Sequence, residues 1–195
     1  IDTWVYVSTN KGWKLTQTFD FNKATGKKIS IAQTGNEKYP GSGAFSLVNG
    51  IYSSKDFNDS DWLGWLGEDM IATIDLGEKQ TVSTVRIHTI DQNGSWIYLP
   101  REVEVFVSDN GKDFKAVESS SDYKPELTNS GWITVSFQNS SGRYIKVVAK
   151  NQGNIPSGQP GEGTPAWLFV DEIQVEWEES YTLHAARCTA LDRTD

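Results

Sequence analysis

The stretch that decides the fold is VEVFVSDNGKDFKAV, residues 103–117. Its first five residues form the pattern of a strand that buries one face and exposes the other. Asn110-Gly111 follows, and Asn-Gly between strand patterns is the strongest short-range signal for a hairpin turn. Residues 114–117 are then expected to form the returning strand. The stretch therefore predicts an antiparallel β-hairpin.

Strand patterns recur on both sides of this hairpin, at residues 71–76, 82–90, 132–137, 144–148 and 169–175. The third and fourth of these are expected to form a second hairpin through the turn residues 139–142. No stretch with a helical period is longer than two turns. Many short strands separated by Gly, Asn and Ser turns predict an all-β protein with an antiparallel β-sandwich fold.

The charge of the chain restricts its partners. The formal net charge is −8 and the sequence pI is near 4.8. A nucleic acid or an anionic membrane would be repelled by most of such a surface, so neither is an expected partner. No run of about 18 apolar residues is present, which predicts no membrane-spanning helix. The single cysteine, Cys188, cannot form an internal disulfide.

Four motifs in order resemble the discoidin family, also called the coagulation factor 5/8 type C domains. The motifs are Leu47-Val48-Asn49-Gly50, Ile74-Asp75-Leu76-Gly77, Val103–Val107 followed by Ser108-Asp109-Asn110-Gly111, and Asp171-Glu172-Ile173-Gln174-Val175. Together they span about residues 27–177. The resemblance implies a discoidin-like jelly roll of the galactose-binding-domain type, which is a ligand-binding fold.

A narrower resemblance points to one group of carbohydrate-binding modules. Residues 21–27, 61–69 and 95–100 are similar to the C-terminal module of bacterial family 20 glycoside hydrolases, which are β-N-acetylhexosaminidases or chitobiases. That module is itself similar to family 32 carbohydrate-binding modules. The resemblance implies a secreted, periplasmic or cell-surface protein whose catalytic domain would be a partner of this chain.

The same resemblance suggests three parts of the chain. Residues 1–25 are expected to be the end of a preceding β domain or an N-terminal strap. Residues 26–178 would be the sandwich module, and residues 179–195 a C-terminal tail. The chain begins at Ile1 without an initiator methionine, so we expect a fragment of a longer protein.

Aromatic residues in loops are the candidates for sugar binding. The C–H face of a sugar packs on an aromatic ring, while its hydroxyls need a few convergent polar groups. Family members bind ligands on loops at one end of the sandwich. The candidate ligand-binding residues are Trp96, Tyr98, Asn93, Arg101, Trp62, Trp65 and His88. The alternative for the tryptophans is that they cap the core or pack on residues 1–25; for His88 it is a structural hydrogen bond on a sheet face.

A structural Ca²⁺ is the cofactor that the resemblance implies. The positions that match the family's ligands are Asn49, Ser54 and Glu172. Oxygen atoms of these side chains suit Ca²⁺, which takes six to eight oxygen ligands. Asn49 replaces a carboxylate of the family pattern, so weaker binding is expected; Na⁺ or no ion is the alternative.

Catalysis by this chain alone is not expected. The chain has two histidines, one in a predicted strand and one in the tail, and its adjacent acidic pairs would point to opposite faces of a strand. We therefore predict a non-catalytic carbohydrate-binding module that binds glycans with terminal N-acetylhexosamine or galactose. Two alternatives remain open: a structural domain packed on the catalytic domain, and discoidin-type binding of a protein or lipid surface.

Overall fold

The computed structural model describes residues 9–10, 13–14, 19–53, 56–120 and 130–176. These ranges contain ten strands and two 3-10 helices, Phe45–Val48 and Asn93–Ser95. No helix in them is long and apolar enough to cross a membrane. The strands are β1 (Thr9–Asn10), β2 (Trp13–Lys14), β3 (Lys28–Ile31), β4 (Gly41–Ala44), β5 (Leu63–Leu66), β6 (Met70–Ile90), β7 (Glu102–Ser108), β8 (Lys115–Ser120), β9 (Ser130–Lys150) and β10 (Trp167–Glu176).

The strands form the antiparallel β-sandwich that the sequence predicts. The hydrogen-bonded order is β5-β10-β6-β9-β7-β8, and β3 pairs with β6. One layer contains β3, the first half of β6, the second half of β9, β7 and β8. The other contains β5, β10 and the remaining halves of β6 and β9.

The two longest strands connect the layers. β6 and β9 are each 21 residues long and pair with each other in both layers. Register shifts in their pairing occur between Asp75 and Gln80 and between Val82 and Thr84. The second hairpin predicted at 132–148 is therefore wrong, since this segment is one continuous strand. Residues 140–142 pair with β6 at the irregular part of the ladder instead of forming a turn.

The first hairpin is confirmed. β7 and β8 pair antiparallel, and Gly111 has a φ of 71° in the connecting loop. The loop is longer than a two-residue turn because the Asn110 side chain organises it. Asn110 Oδ1 accepts hydrogen bonds from the N–H groups of Lys112 and Asp113, both at 2.9 Å.

The main hydrophobic core fills the space between the layers. Alternate residues of β6 and β9, such as Ile74 and Val147, face it from one layer, and Val85, Ile133 and Ile173 face it from the other. All five are buried. Burying a side chain of this size stabilises the fold by about 1.5–3 kcal/mol.

The segment just before β3 packs on the sandwich. The Lys23 N–H donates to the Val175 carbonyl at 3.0 Å, and the Val175 N–H donates to Asn22 Oδ1 at 3.1 Å. Ala24 is fully buried in the main core. Residues 22–24 therefore lie against the sandwich. The tail at 179–195 lies outside the described residues.

Candidate functional site

A tight turn follows β6 and presents Trp96. Gln92 and Ile97 exchange backbone hydrogen bonds of 3.0 and 3.3 Å around the 3-10 helix Asn93–Ser95. Trp96, which ends this helix, has φ 63° and ψ 22°, the only positive φ outside glycine in the described ranges. For a residue with a side chain this conformation costs about 1–2 kcal/mol. Trp96 is 45% exposed.

Backbone hydrogen bonds on both sides hold Trp96 in this conformation. Its N–H donates to the Asn93 carbonyl at 2.9 Å, and its carbonyl accepts from the Trp167 N–H at 2.8 Å. The second bond ties the turn to the start of β10. Strain of this kind persists only where the surrounding structure fixes it, and it occurs most often at functional sites.

The glycine- and proline-rich loop at 151–165 is ordered by its own hydrogen bonds and supports Trp96. Ile155 and Thr164 are joined across the loop, N–H to carbonyl, at 2.8 Å. The loop places Gly161, at φ 85°, directly against the indole. A Cβ atom on Gly161 would lie 2.6 Å from Trp96 Cδ1 and 2.7 Å from Nε1. The indole therefore rests on a backbone that has no side chain at this point.

Tyr98 lies beneath this loop. It is 7% exposed and forms a small cluster with Ile155 and Ala166. Its hydroxyl donates to the Pro160 carbonyl at 2.8 Å. Tyr98 thus fixes the loop from below, while Trp96 lies at the surface.

A second aromatic cluster covers the outer face of β10. Trp62 and Phe169 are buried there, and Tyr39, Phe57 and Trp167 pack against them. The Trp62 indole N–H donates to the Asp56 carbonyl at 3.1 Å. These rings connect the Trp96 turn with the middle of the sheet.

His88 continues the cluster along β6. Its ring stacks on Trp62 with a centroid distance of 5.3 Å and an angle of 18°. His88 Nδ1 lies 2.6 Å from the Asp171 carboxylate, whose other oxygen accepts the Ser53 N–H at 2.7 Å. Burial raises the pKa of Asp171, and the hydrogen bond from His88 opposes that effect. His88 is 3% exposed, so the pair is a structural support of the sheet face.

The positions expected to bind Ca²⁺ show one feature that fits a cation. Glu172 is fully buried, and its Oε1 has no hydrogen-bond partner among the described residues. Its Oε2 accepts the Gly50 N–H at 3.2 Å. Burial raises the pKa of Glu172 to about 9; the Gly50 N–H opposes this effect, and Asp171 and Asp20 add to it. A cation near Oε1 would satisfy that atom and stabilise the ionised carboxylate.

The sequence predicts two further cation ligands, Asn49 and Ser54. Asn49 Oδ1 already accepts the Ile51 N–H at 2.8 Å. Ser54 lies outside the described residues. Across those residues, no group of three or more His, Cys, Asp and Glu side chains is arranged to hold a metal. Any site among the described residues would therefore need neutral oxygens in addition to Glu172.

A family profile matches residues 48–147, and its description is an F5/8 type C family, NedA-like, galactose-binding domain. The chain belongs to this family. A comparison of this sequence with the curated proteins found no match.

Solved structures share the fold of this F5/8 type C domain. A fucose-binding module of Streptococcus pneumoniae has a TM-score of 0.55 and 18% identity, covering 87% of this chain and 99% of the module. A mutant lectin-binding domain of Lectinolysin, complexed with Lewis b, has a TM-score of 0.54 and 19% identity, covering 87% and 97%. Chitosan-binding module 1 of a chitosanase/glucanase from Paenibacillus sp. IK-5 has a TM-score of 0.51 and 15% identity, covering 80% and 99%.

The F5/8 type C fold separates the predicted ligand-binding residues into three groups. Trp96 and the half-buried Asn93 share the turn after β6, and the exposed Arg101 directly precedes β7. Trp62, His88 and Tyr98 are buried supports of this end and of the sheet face. Trp65 lies in the main core, where its indole N–H donates to the Gln33 carbonyl at 3.0 Å.

Sequence reasoning missed several groups that surround His88. Tyr52 and Trp132 contact its ring at centroid distances of 5.1 and 5.0 Å. Arg86 alternates with His88 on the same strand, so its position on this face follows from the strand period. Trp132 pairs with His88 across β6 and β9. This pairing depends on the register between β6 and β9, which the residue pattern of a single strand does not predict.

Proposed function

We propose that this F5/8 type C domain is a non-catalytic carbohydrate-binding module. Its ligand would be a glycan ending in N-acetylhexosamine or galactose, bound at the turn after β6. The observation that supports this most strongly is Trp96, an exposed indole held in a strained conformation by hydrogen bonds from two neighbouring segments. A ring fixed in this way offers a flat apolar surface without further loss of side-chain freedom on binding.

In the proposed complex, the C–H face of the sugar packs on the free face of Trp96. Asn93 and Arg101 supply hydrogen-bond donors and acceptors for the hydroxyls. Tyr98 and Gly161 support the indole from below. A single shallow site of this kind buries few ligand atoms, so the affinity is expected to be between millimolar and micromolar, about −4 to −8 kcal/mol.

The module would hold a catalytic domain close to its substrate. The similarity of residues 21–27, 61–69 and 95–100 to the modules of family 20 glycoside hydrolases favours a β-N-acetylhexosaminidase-like parent enzyme, secreted or displayed at the cell surface. Weak binding suffices for this role, because several modules or several sugar ends raise the overall affinity.

Calcium would act in this proposal as a structural ion. Glu172 and, where available, Asn49 and Ser54 would hold it through oxygen atoms. The ion would join β10 to the loop that follows Val48 and so stiffen that part of the sandwich.

The test is a binding titration of the folded chain with methyl N-acetyl-β-D-glucosaminide and methyl β-D-galactopyranoside. Trp96→Ala should weaken binding at least tenfold, because it removes the aromatic surface. Phe45→Ala is the matched control, since Phe45 is 52% exposed and lies on a separate 3-10 helix. Saturating sugar that leaves the indole N–H resonance of Trp96 unshifted in the folded wild type would contradict the proposed site.

A further inference from the structure

An exposed aromatic pair lies on the outer face of the layer that contains β10. Tyr52 is 40% exposed, and Trp132 is partly exposed beside it. The two rings are 5.0 Å apart with an interplanar angle of 75°, so they form a corner. We name Tyr52, Trp132, Arg86 and Asp20 the Tyr52 patch.

The Tyr52 patch is well separated from the Trp96 turn. The Trp96 carbonyl bonds to Trp167 at the start of β10, whereas Arg86 pairs with Gln174 near the end of that strand. Six residues of β10 lie between Trp167 and Gln174, so these points are roughly 23 Å apart at about 3.3 Å per residue. A monosaccharide cannot contact both places.

The polar groups of the Tyr52 patch are fixed in position. The Arg86 guanidinium stacks over the Trp132 ring, 4.5 Å from its centroid. Arg86 Nη1 donates to Gln174 Oε1 at 3.1 Å, and Gln174 Nε2 donates to Asp20 Oδ2 at 3.0 Å. Gln174 is fully buried, so the network that aligns Arg86 and Asp20 has little freedom to move.

The aromatic corner is fixed from below as well. His88 contacts both rings of the corner and is itself held by Asp171. Burial raises the pKa of the Tyr52 phenol; Asp20 and Asp171 add to this effect and Arg86 opposes it. The phenol therefore lies within electrostatic range of both a cation and a carboxylate.

From this arrangement we infer that the Tyr52 patch is a second saccharide-binding site, for a neutral pyranose with neighbouring hydroxyl groups. The apolar face of the sugar packs on Tyr52. One hydroxyl accepts from the Arg86 guanidinium, and its neighbour donates to the Asp20 carboxylate. Asp20, Asp171 and the net charge of −8 disfavour acidic sugars. This site is separate from the Trp96 turn, so each can fail without the other.

The two sites can be followed at once through tryptophan indole N–H resonances. The chain is titrated with methyl β-D-galactopyranoside or methyl N-acetyl-β-D-glucosaminide in ¹H–¹⁵N spectra, with Trp96 and Trp132 assigned by Trp→Phe variants. The inference predicts sugar-dependent shifts of both resonances, with independent saturation. Tyr52→Ala should weaken the Trp132 response at least tenfold and leave the Trp96 response unchanged.

Asp20→Asn is the second variant, because it keeps the shape of the side chain and removes the carboxylate acceptor. It should also weaken the Trp132 response selectively. A Trp132 resonance that does not shift at saturating sugar, while Trp96 responds, would overturn the second site and leave the proposed function intact. Silence of both resonances in the folded chain would overturn both proposals.

Discussion

Trp96 combines an exposed ring with a backbone conformation that residues with a Cβ atom avoid. The indole contributes to the fold by resting on Gly161, and its φ of 63° acts against stability. The two contributions can be separated by substitution, because alanine and glycine both remove the ring and differ in the cost of a positive φ.

Trp96→Gly is therefore expected to be more stable than Trp96→Ala by about 1 kcal/mol. Both variants should lose sugar binding at the Trp96 turn. Urea denaturation of the two variants measures the difference directly. If alanine is as stable as glycine at this position, the backbone is not strained there, and the argument from strain to function fails.

Gly161 should be required for the position of the Trp96 ring. Gly161→Ala places a Cβ atom 2.6 Å from the indole, so the ring has to move and sugar affinity should fall at least tenfold. Gly163 is the matched control because it has φ 79° in the same loop and open space around its Cα. Both alanine variants carry a similar backbone cost, about 1–2 kcal/mol.

The comparison is made by thermal denaturation and by a sugar titration that follows the indole N–H resonance of Trp96. Gly163→Ala should be destabilised to a similar extent and keep its affinity. Equal affinities of the two variants would show that the indole does not depend on Gly161.

At the scale of elements, Gly142 allows β7 to approach β9 closely. A Cβ atom on Gly142 would lie 3.1 and 3.2 Å from backbone atoms of Ser108. Gly142→Ala should therefore lower the free energy of unfolding by about 1–3 kcal/mol, while sugar binding is unchanged. Ser136→Ala, at an exposed position of the same strand, is the control. Equal stability of the two variants would contradict this reason for the glycine.

Glu172 links β10 to the loop after Val48, and its raised pKa predicts a pH-dependent stability. The folded chain keeps a proton on Glu172 that the unfolded chain releases above the ordinary pKa of 4.5. In calcium-free buffer, the contribution of Glu172 to the free energy of unfolding should therefore be greatest below about pH 4.5. This contribution should fall as the pH rises towards 9. The limiting slope is about 1.4 kcal/mol per pH unit.

Glu172→Gln should remove this part of the pH dependence, since glutamine does not ionise. Denaturation curves from pH 5 to 9 measure it, with Glu176→Gln on the same strand as the control. Under the calcium proposal, added Ca²⁺ should raise the melting temperature of the wild type and not that of Glu172→Gln. A wild type with the same pH and calcium response as Glu172→Gln would contradict the role given to this carboxyl group.

The sequence predicts strands more reliably than the connections between them. The hairpin at 103–117 was predictable because its turn residues and the period-2 pattern of its strands indicate the same structure. The segment 132–148 was misread because Ser and Gly residues usually mark turns, whereas here they lie where the long β6 and β9 pair irregularly. The pattern of one segment does not show which strand it pairs with. It therefore cannot distinguish a turn from an irregularly paired part of a long strand.

At the scale of the whole molecule, the all-β sandwich and the F5/8 type C family followed from motifs in order along the chain. The loop residues of the candidate site were also visible as aromatics outside the strand pattern. The exposure of these aromatic residues could not be predicted from the sequence. Trp62, Trp65 and Trp96 have similar sequence contexts, but of these three only Trp96 is exposed. Tyr52 and Trp132 come together through pairing and packing over long sequence distances.

The whole domain therefore has one end and one sheet face with exposed aromatic rings, on a molecule of net charge −8. Such a surface suits neutral, polyhydroxylated ligands better than polyanions, which it repels. The family and the fold are compatible with the binding of such ligands, and the geometry of the two proposed sites indicates which residues would contact them.

The most direct test is a calorimetric titration of two proteins, Tyr52→Ala and Tyr52→Ala/Trp96→Ala, with N-acetylhexosamine- and galactose-terminated glycans, after thermal denaturation has shown that both are folded. Because Tyr52→Ala removes the second site, we expect weak, saturable binding in this variant and at least a tenfold loss when Trp96 is also replaced. Equal affinities of the two folded proteins, or a folded wild type that binds none of these glycans, would contradict sugar binding at the Trp96 turn.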